Sequence, residues 1–112
     1  MKRKPSHLYF HALPEKLNCA QALLKGFQIQ MKISDTEIEE YRAWGGGRAK
    51  DGICGALFAA ERLLLQANKA SIVEAFKEQA GGVECVNLKN GKFSCEAYVQ
   101  LVDSLVEKRL AE

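Results

Sequence analysis

Hydrophobic residues recur at spacings of three and four along most of this chain. In an α-helix this spacing places side chains on one face, so each such stretch predicts an amphipathic helix. The first predicted helix begins at Pro14 or Asn18 and ends near Lys32, and Asn18 with Gln21 has the spacing of a capping box. Its predicted apolar face comprises Leu17, Ala20, Leu23, Leu24, Phe27 and Met31.

Polar caps and glycines divide the middle of the chain into further helices. Ser34, with a glutamate three residues later, is a second capping-box pattern and predicts a short helix to about Trp44. Three consecutive glycines at 45–47 then end that helix, because glycine loses much conformational entropy on ordering and readily takes positive φ. Asp51 is the predicted cap of the next helix, which ends near Asn68.

Two more helices are predicted in the C-terminal half. One extends from Ser71 to Ala80 and is ended by the glycine pair that starts at Gly81. The other begins after Ser94, a natural N-cap. The predicted core face of this last helix comprises Tyr98, Leu101, Val102, Leu105, Val106 and Leu110.

Composition and length favour one folded domain. The 112 residues are 47% hydrophobic and 27% charged, as in ordinary globular proteins, and a chain of this length supports a single core. We therefore expect an all-α bundle of four to five helices that forms one domain over residues 1–112, with residues 1–12 as a flexible N-terminal segment.

Charge and hydropathy exclude two classes of partner. The net charge of +2 comes largely from the first four residues, so we expect no broad basic face for nucleic acid. No apolar run approaches the roughly 20 residues of a membrane span, and the basic start precedes too short an apolar stretch for a signal peptide. We expect a cytoplasmic protein that binds neither nucleic acid nor membrane.

Candidate chemistry resides in four cysteines, Cys19, Cys54, Cys85 and Cys95. Three of them closely follow a predicted helix cap. A helix N-terminus presents unpaired N–H groups and the positive end of the helix dipole, which favour the thiolate that attacks disulfides and binds metals. The same positions border apolar faces, so the side chains are predicted to point inward and meet. Free cysteine is also among the most buried residue types, which makes a purely structural role the competing interpretation.

The order of cysteines and glycines resembles the C_GCAxxG_C_C family, which is thought to be redox-active. The similar segments are residues 18–24 around Cys19, the glycine-rich stretch with Cys54, and the final pair Cys85 and Cys95. The glycines of that stretch are Gly45, Gly46, Gly47, Gly52 and Gly55. The resemblance covers most of the chain from Asn18 onward, and it implies a helical protein with redox activity.

Three functions are compatible with these cysteines. The first is thiol–disulfide exchange with a redox partner protein, as in a thiol–disulfide oxidoreductase, with Cys54 as preferred nucleophile because Gly52 and Gly55 leave room beside it. Cys85 and Cys95 would then form a second pair. In the second, all four thiolates hold one metal centre, and an iron–sulfur cluster is favoured because four cysteines are its usual ligands. The sequence has no C-x-x-C pair, the short spacing typical of both zinc sites and ferredoxins, so this function ranks below thiol–disulfide exchange, with zinc last. The third is a helical assembly module, such as a homodimer, with structural cysteines.

Overall fold

An all-α bundle is formed by the residues that the computed structural model describes, which are 6–10, 17–44, 54–82 and 95–111. The predicted fold class is therefore confirmed. Six α-helices and two 3-10 helices occur in these ranges: a 3-10 helix Ser6–Tyr9, α1 Cys19–Gly26, α2 Gln28–Met31, α3 Asp35–Glu40, a 3-10 helix Tyr41–Trp44, α4 Gly55–Gln66, α5 Val73–Ala80 and α6 Cys95–Leu110.

The predicted capping box at the start of α1 is confirmed. The Asn18 side chain accepts the backbone N–H of Gln21 at 2.8 Å, and the Asn18 N–H donates to Oε1 of Gln21 at 3.1 Å. The predicted single helix to Lys32 is, however, interrupted. α1 ends at Gly26, Phe27 has non-helical dihedrals (φ −109°, ψ 9°), and α2 is a single further turn that ends at Lys32 in the left-handed region.

Two further caps follow the prediction and one differs. Oγ of Ser34 accepts the N–H three residues on at 3.0 Å and starts α3. Gly81, at φ 86°, ends α5 in the left-handed conformation that glycine adopts without strain. The start of α4 was predicted with Asp51 as its cap; the N-cap is Cys54 instead, and Asp51 lies outside the described residues.

The core is built where α1, α4 and α6 pack on one another, and the α1–α4 contact is the most extensive. On α6 the fully buried residues are Tyr98, Val99, Val102 and Val106, whereas the predicted core residues Leu101, Leu105 and Leu110 are only partly buried. The buried face of α6 is thus rotated toward Val99 relative to the prediction. None of the described helices combines the length and apolar character that crossing a membrane would require.

The N-terminal strap, residues 6–10, packs against both α1 and α6. It lies within the segment that the sequence predicted to be flexible. Ser6 has no exposed surface, and Tyr9 and Phe10 pack against the hydrophobic core. Apolar residues at the end of the strap explain this docking, because their burial removes aromatic surface from water.

Candidate thiol site

Three cysteines lie at the starts of the three helices that form the core. Cys19 is the first residue of α1, Cys54 is the N-cap of α4, and Cys95 is the first residue of α6. The predicted placement of these cysteines at helix N-termini is confirmed. Of the other candidate site residues, Gly55 is the first residue of α4. The rest lie outside the described ranges, and they are Cys85, Gly45, Gly46, Gly47 and Gly52.

The start of α1 is anchored to the segment after α3 by one side chain. Nδ2 of Asn18 donates to the backbone carbonyls of Tyr41 at 3.2 Å and Arg42 at 3.0 Å. One turn later, the fully buried Gln21 donates through Nε2 to the carbonyl of Ile38 at 3.1 Å. Because buried polar groups are costly without partners, these bonds fix the end of α1 that carries the first cysteine.

The start of α4 lies against the same segment. The carbonyl of Cys54 accepts the N–H of Phe58 at 2.9 Å, so the two residues are one helical turn apart. The Phe58 ring contacts the Tyr41 ring, with centroids 6.0 Å apart. Tyr41 is therefore a shared neighbour of the first turns of α1 and α4, and Cys19 and Cys54 are both part of the hydrophobic core.

Both described thiols are almost inaccessible. Cys19 is 9% exposed and Cys54 is 6% exposed, and both are present as thiols. Gly55, which was expected to leave an open approach to Cys54, is itself buried at the first position of α4. Neither residue therefore presents an open surface to a partner sulfur.

Tyr41 places a phenol beside this site. Burial raises the pKa of Tyr41, and the nearby Arg62 guanidinium, which also hydrogen-bonds the phenol, partly offsets this effect. The phenol is therefore neutral at physiological pH. It adds a polar group, but no negative charge, against α4 at Phe58 and Arg62.

A metal centre stays a hypothesis. Among the side chains that the structure describes, which include Cys19 and Cys54 but not Cys85 or Cys95, no three histidine, cysteine, aspartate or glutamate residues cluster so as to hold a metal ion. Two of the four proposed ligands lie outside that set.

Two residues that the sequence reading missed hold the strap in place, namely Gly26 and Asp103. Asp103 is only 5% exposed. It lies four residues after Val99 and three before Val106, both fully buried, so its position on the core face of α6 is the signal that could have revealed it. A carboxylate on a core face predicts a buried hydrogen-bond partner.

Comparison with known proteins finds no family model, curated protein or solved structure that matches this chain. The resemblance to the C_GCAxxG_C_C family therefore stays a prediction that depends on the motif residues alone. The candidate function follows from the chemistry and placement of the site residues themselves.

Proposed function

We propose that this protein is a cytoplasmic thiol–disulfide exchange protein that passes electrons to or from a partner protein through its four cysteines. The observation that carries the proposal is the placement of Cys19, Cys54 and Cys95 at the N-terminal ends of the three helices that pack together. Helix N-termini stabilise negative charge, and the thiolate is the form of cysteine that attacks a disulfide.

The reaction is a two-step exchange. The Cys54 thiolate attacks one sulfur of a partner disulfide, the partner S–S bond breaks, and the departing sulfur leaves as a thiolate that takes a proton from water. The thiolate of a second cysteine then attacks the Cys54 sulfur of the mixed disulfide, and the partner's other sulfur leaves. Two electrons have passed to the partner, which is now a dithiol, and two thiols of this chain have become one disulfide.

Cys19 is the best candidate for the second cysteine among the described residues. It lies in the same hydrophobic core as Cys54, and the first turns of both helices contact Tyr41, through Asn18 and Phe58. The helices that carry the two cysteines also make the most extensive contact in the bundle. A disulfide between them requires a Cα separation below about 7 Å in the oxidised state. Cys85 and Cys95 are assigned as the second pair.

Burial of the thiols sets how the exchange proceeds. With exposures of 9% and 6%, Cys19 and Cys54 react with a partner only when the local structure opens. Burial also protects them from unselective oxidation, since oxidation follows thiolate character and exposure. The exchange is therefore expected to be selective and gated rather than fast with every disulfide.

A redox titration tests the proposal. The protein is equilibrated with graded ratios of reduced and oxidised dithiothreitol, remaining thiols are trapped by alkylation in acid-quenched samples, and intact masses are recorded. We expect two-electron transitions that yield a monomeric, folded species with internal disulfides, one that joins Cys19 and Cys54 and one that joins Cys85 and Cys95. Four thiols that persist across the whole range, or oxidation that yields only cross-linked chains, would contradict the proposal.

Single substitutions by serine assign the roles. Cys19→Ser and Cys54→Ser are each expected to abolish the Cys19–Cys54 disulfide, whereas Cys85→Ser is the matched control that retains it. The absorption spectrum of the anaerobically purified protein checks the competing metal centre, because an iron–sulfur cluster is coloured. A brown preparation with bound iron would replace exchange by cluster binding.

A further inference from the structure

The N-terminal strap is anchored to the bundle at its first residue. The backbone N–H of Ser6 donates to Oδ2 of Asp103 on α6 at 2.8 Å, and the bond is buried. The Ser6 hydroxyl also donates to the carbonyl of Leu23 on α1 at 3.4 Å. The bond to Asp103 is clearly the shorter of the two, so the contact with Asp103 is the main polar anchor.

Gly26 makes the close approach of the strap to α1 possible. A Cβ at this position would lie 2.9 Å from both Cα and Cβ of Ser6, and closer still to its Oγ. Real side chains do not tolerate such contacts, and the atoms in the way include backbone. The strap can therefore occupy this position only while residue 26 carries no side chain.

The other end of the strap reaches the start of α1. Phe10 forms an isolated parallel β-bridge with Leu17, which lies two residues before Cys19. Tyr9 and Phe10 pack against the hydrophobic core, of which Cys19 and Cys54 are both part, so the link between the strap and Cys19 in particular is the course of the strap along α1. The strap thus extends along α1 from its last residue, where Ser6 lies on Gly26, to the residue just before its cap.

We propose that the strap is a cover for Cys19, held closed by the Ser6–Asp103 hydrogen bond, and that its release opens the Cys19 thiol to a reacting disulfide. The inference rests on the proposed function for its biological meaning, because it assigns to the strap the control of one cysteine of the exchange site. Cys54 begins a different helix and serves as the internal reference.

Site-resolved alkylation tests the cover in the full-length reduced protein. The rate of reaction with iodoacetamide is measured at Cys19 and Cys54 by mass spectrometry under native conditions. Two variants should release the strap: Gly26→Ala, which adds the clashing methyl group, and Asp103→Ala, which removes the anchor. Gly82→Ala is the matched control, because a Cβ there meets no atom within 4 Å.

The expected result is selective. In Gly26→Ala and Asp103→Ala, Cys19 should react about tenfold faster or more, because reactivity of a covered group follows the population of the open form. Cys54 in the same molecules should change by less than about twofold, and Gly82→Ala should match the wild-type rates at both cysteines. Equal acceleration at Cys19 and Cys54 would mean general unfolding and would overturn the inference.

The wild-type protein supplies a second, independent measurement. In low concentrations of urea, hydrogen exchange of the Ser6 amide and alkylation of Cys19 should show the same urea dependence, since one opening governs both. Different dependences would refute the cover even if the variants fail to fold. Alkylation requires no redox exchange, so the two hypotheses can fail separately. If Cys19 reacts faster in the strap variants but the protein never forms a disulfide, the cover is supported and the proposed function is refuted.

Discussion

Asn18 is the residue through which the structure holds the start of α1, and its substitution by alanine removes three hydrogen bonds at once. The lost N-cap bond to Gln21 costs about 1 kcal/mol. The two bonds from Nδ2 to the carbonyls of Tyr41 and Arg42 contribute about 0.5–1.5 kcal/mol each, with the exposed bond to Arg42 at the lower end. We expect Asn18→Ala to lower the free energy of unfolding by about 2–3 kcal/mol.

Asn18→Asp separates the cap from the anchor. The carboxylate keeps the acceptor for the N–H of Gln21, and aspartate caps helices about as well as asparagine. It replaces the Nδ2 donor by an oxygen that faces the carbonyls of Tyr41 and Arg42, which lie 3.2 and 3.0 Å from Nδ2. We expect a loss of about 1–2 kcal/mol at neutral pH, between wild type and Asn18→Ala.

Equilibrium unfolding in urea, followed by circular dichroism at 222 nm, measures both variants. With an m-value of about 1–3 kcal/mol/M, a loss of about 2 kcal/mol lowers the midpoint by roughly 0.7–2 M. A midpoint for Asn18→Asp equal to that of wild type would refute the anchor to Tyr41 and Arg42. A shift below about 0.5 kcal/mol for Asn18→Ala would refute the cap as well.

Three further outcomes are expected from denaturation experiments. The free energy of unfolding should fall by about 1–3 kcal/mol in Gly26→Ala through overpacking, and it should change by less than about 0.5 kcal/mol in Gly82→Ala, where the added methyl group meets open space. The two variants are compared by their urea midpoints. Lys32→Gly should raise the free energy of unfolding by about 0.5–1 kcal/mol, because Lys32 has a positive φ of 54° that glycine adopts without strain. Asn68→Gly should raise it less, since asparagine tolerates its φ of 60°. Equal thermal midpoints for the two variants would contradict this. Because the pKa of Tyr41 is raised, the folded state holds the phenolic proton more tightly than the unfolded state. The resulting stabilisation is complete below the ordinary tyrosine pKa near 10 and is lost as pH rises through the higher pKa of the folded state. Tyr41→Phe should therefore flatten the decline of urea midpoints between about pH 9 and about pH 11, and an unchanged decline would contradict this.

Local signals in the sequence predicted the helix ends well where a single residue forms the cap. Asn18 and Ser34 act as the predicted caps, and Gly81 ends its helix as predicted, because each of these depends on residues within a few positions. The break at Phe27 was not predicted. The apolar spacing continues through it, and the reason for Gly26 lies in the distant Ser6, which only the folded chain brings near.

The site shows the same division between local and long-range information. The placement of Cys19, Cys54 and Cys95 at helix starts follows from nearby residues and is confirmed. The inward position of Cys54 was predicted from the apolar face that it borders, whereas the expected open approach to its thiol is absent, because the flanking glycines indicate little bulk only in their own segment. The anchoring of Ser6 by Asp103 joins residues 97 positions apart, and no pattern of spacing reports such a pair.

The most direct test of the account is to identify the disulfide that forms in the oxidised protein. After mild oxidation under native conditions, free thiols are alkylated, the unreduced protein is digested with trypsin, and linked peptides are sequenced by mass spectrometry. We predict a peptide pair joined through Cys19 and Cys54, in a protein whose circular dichroism still reports a folded helical bundle. If both cysteines are recovered as alkylated thiols from a folded protein that was treated with excess oxidant, the claim that these two helix starts form a redox pair is contradicted.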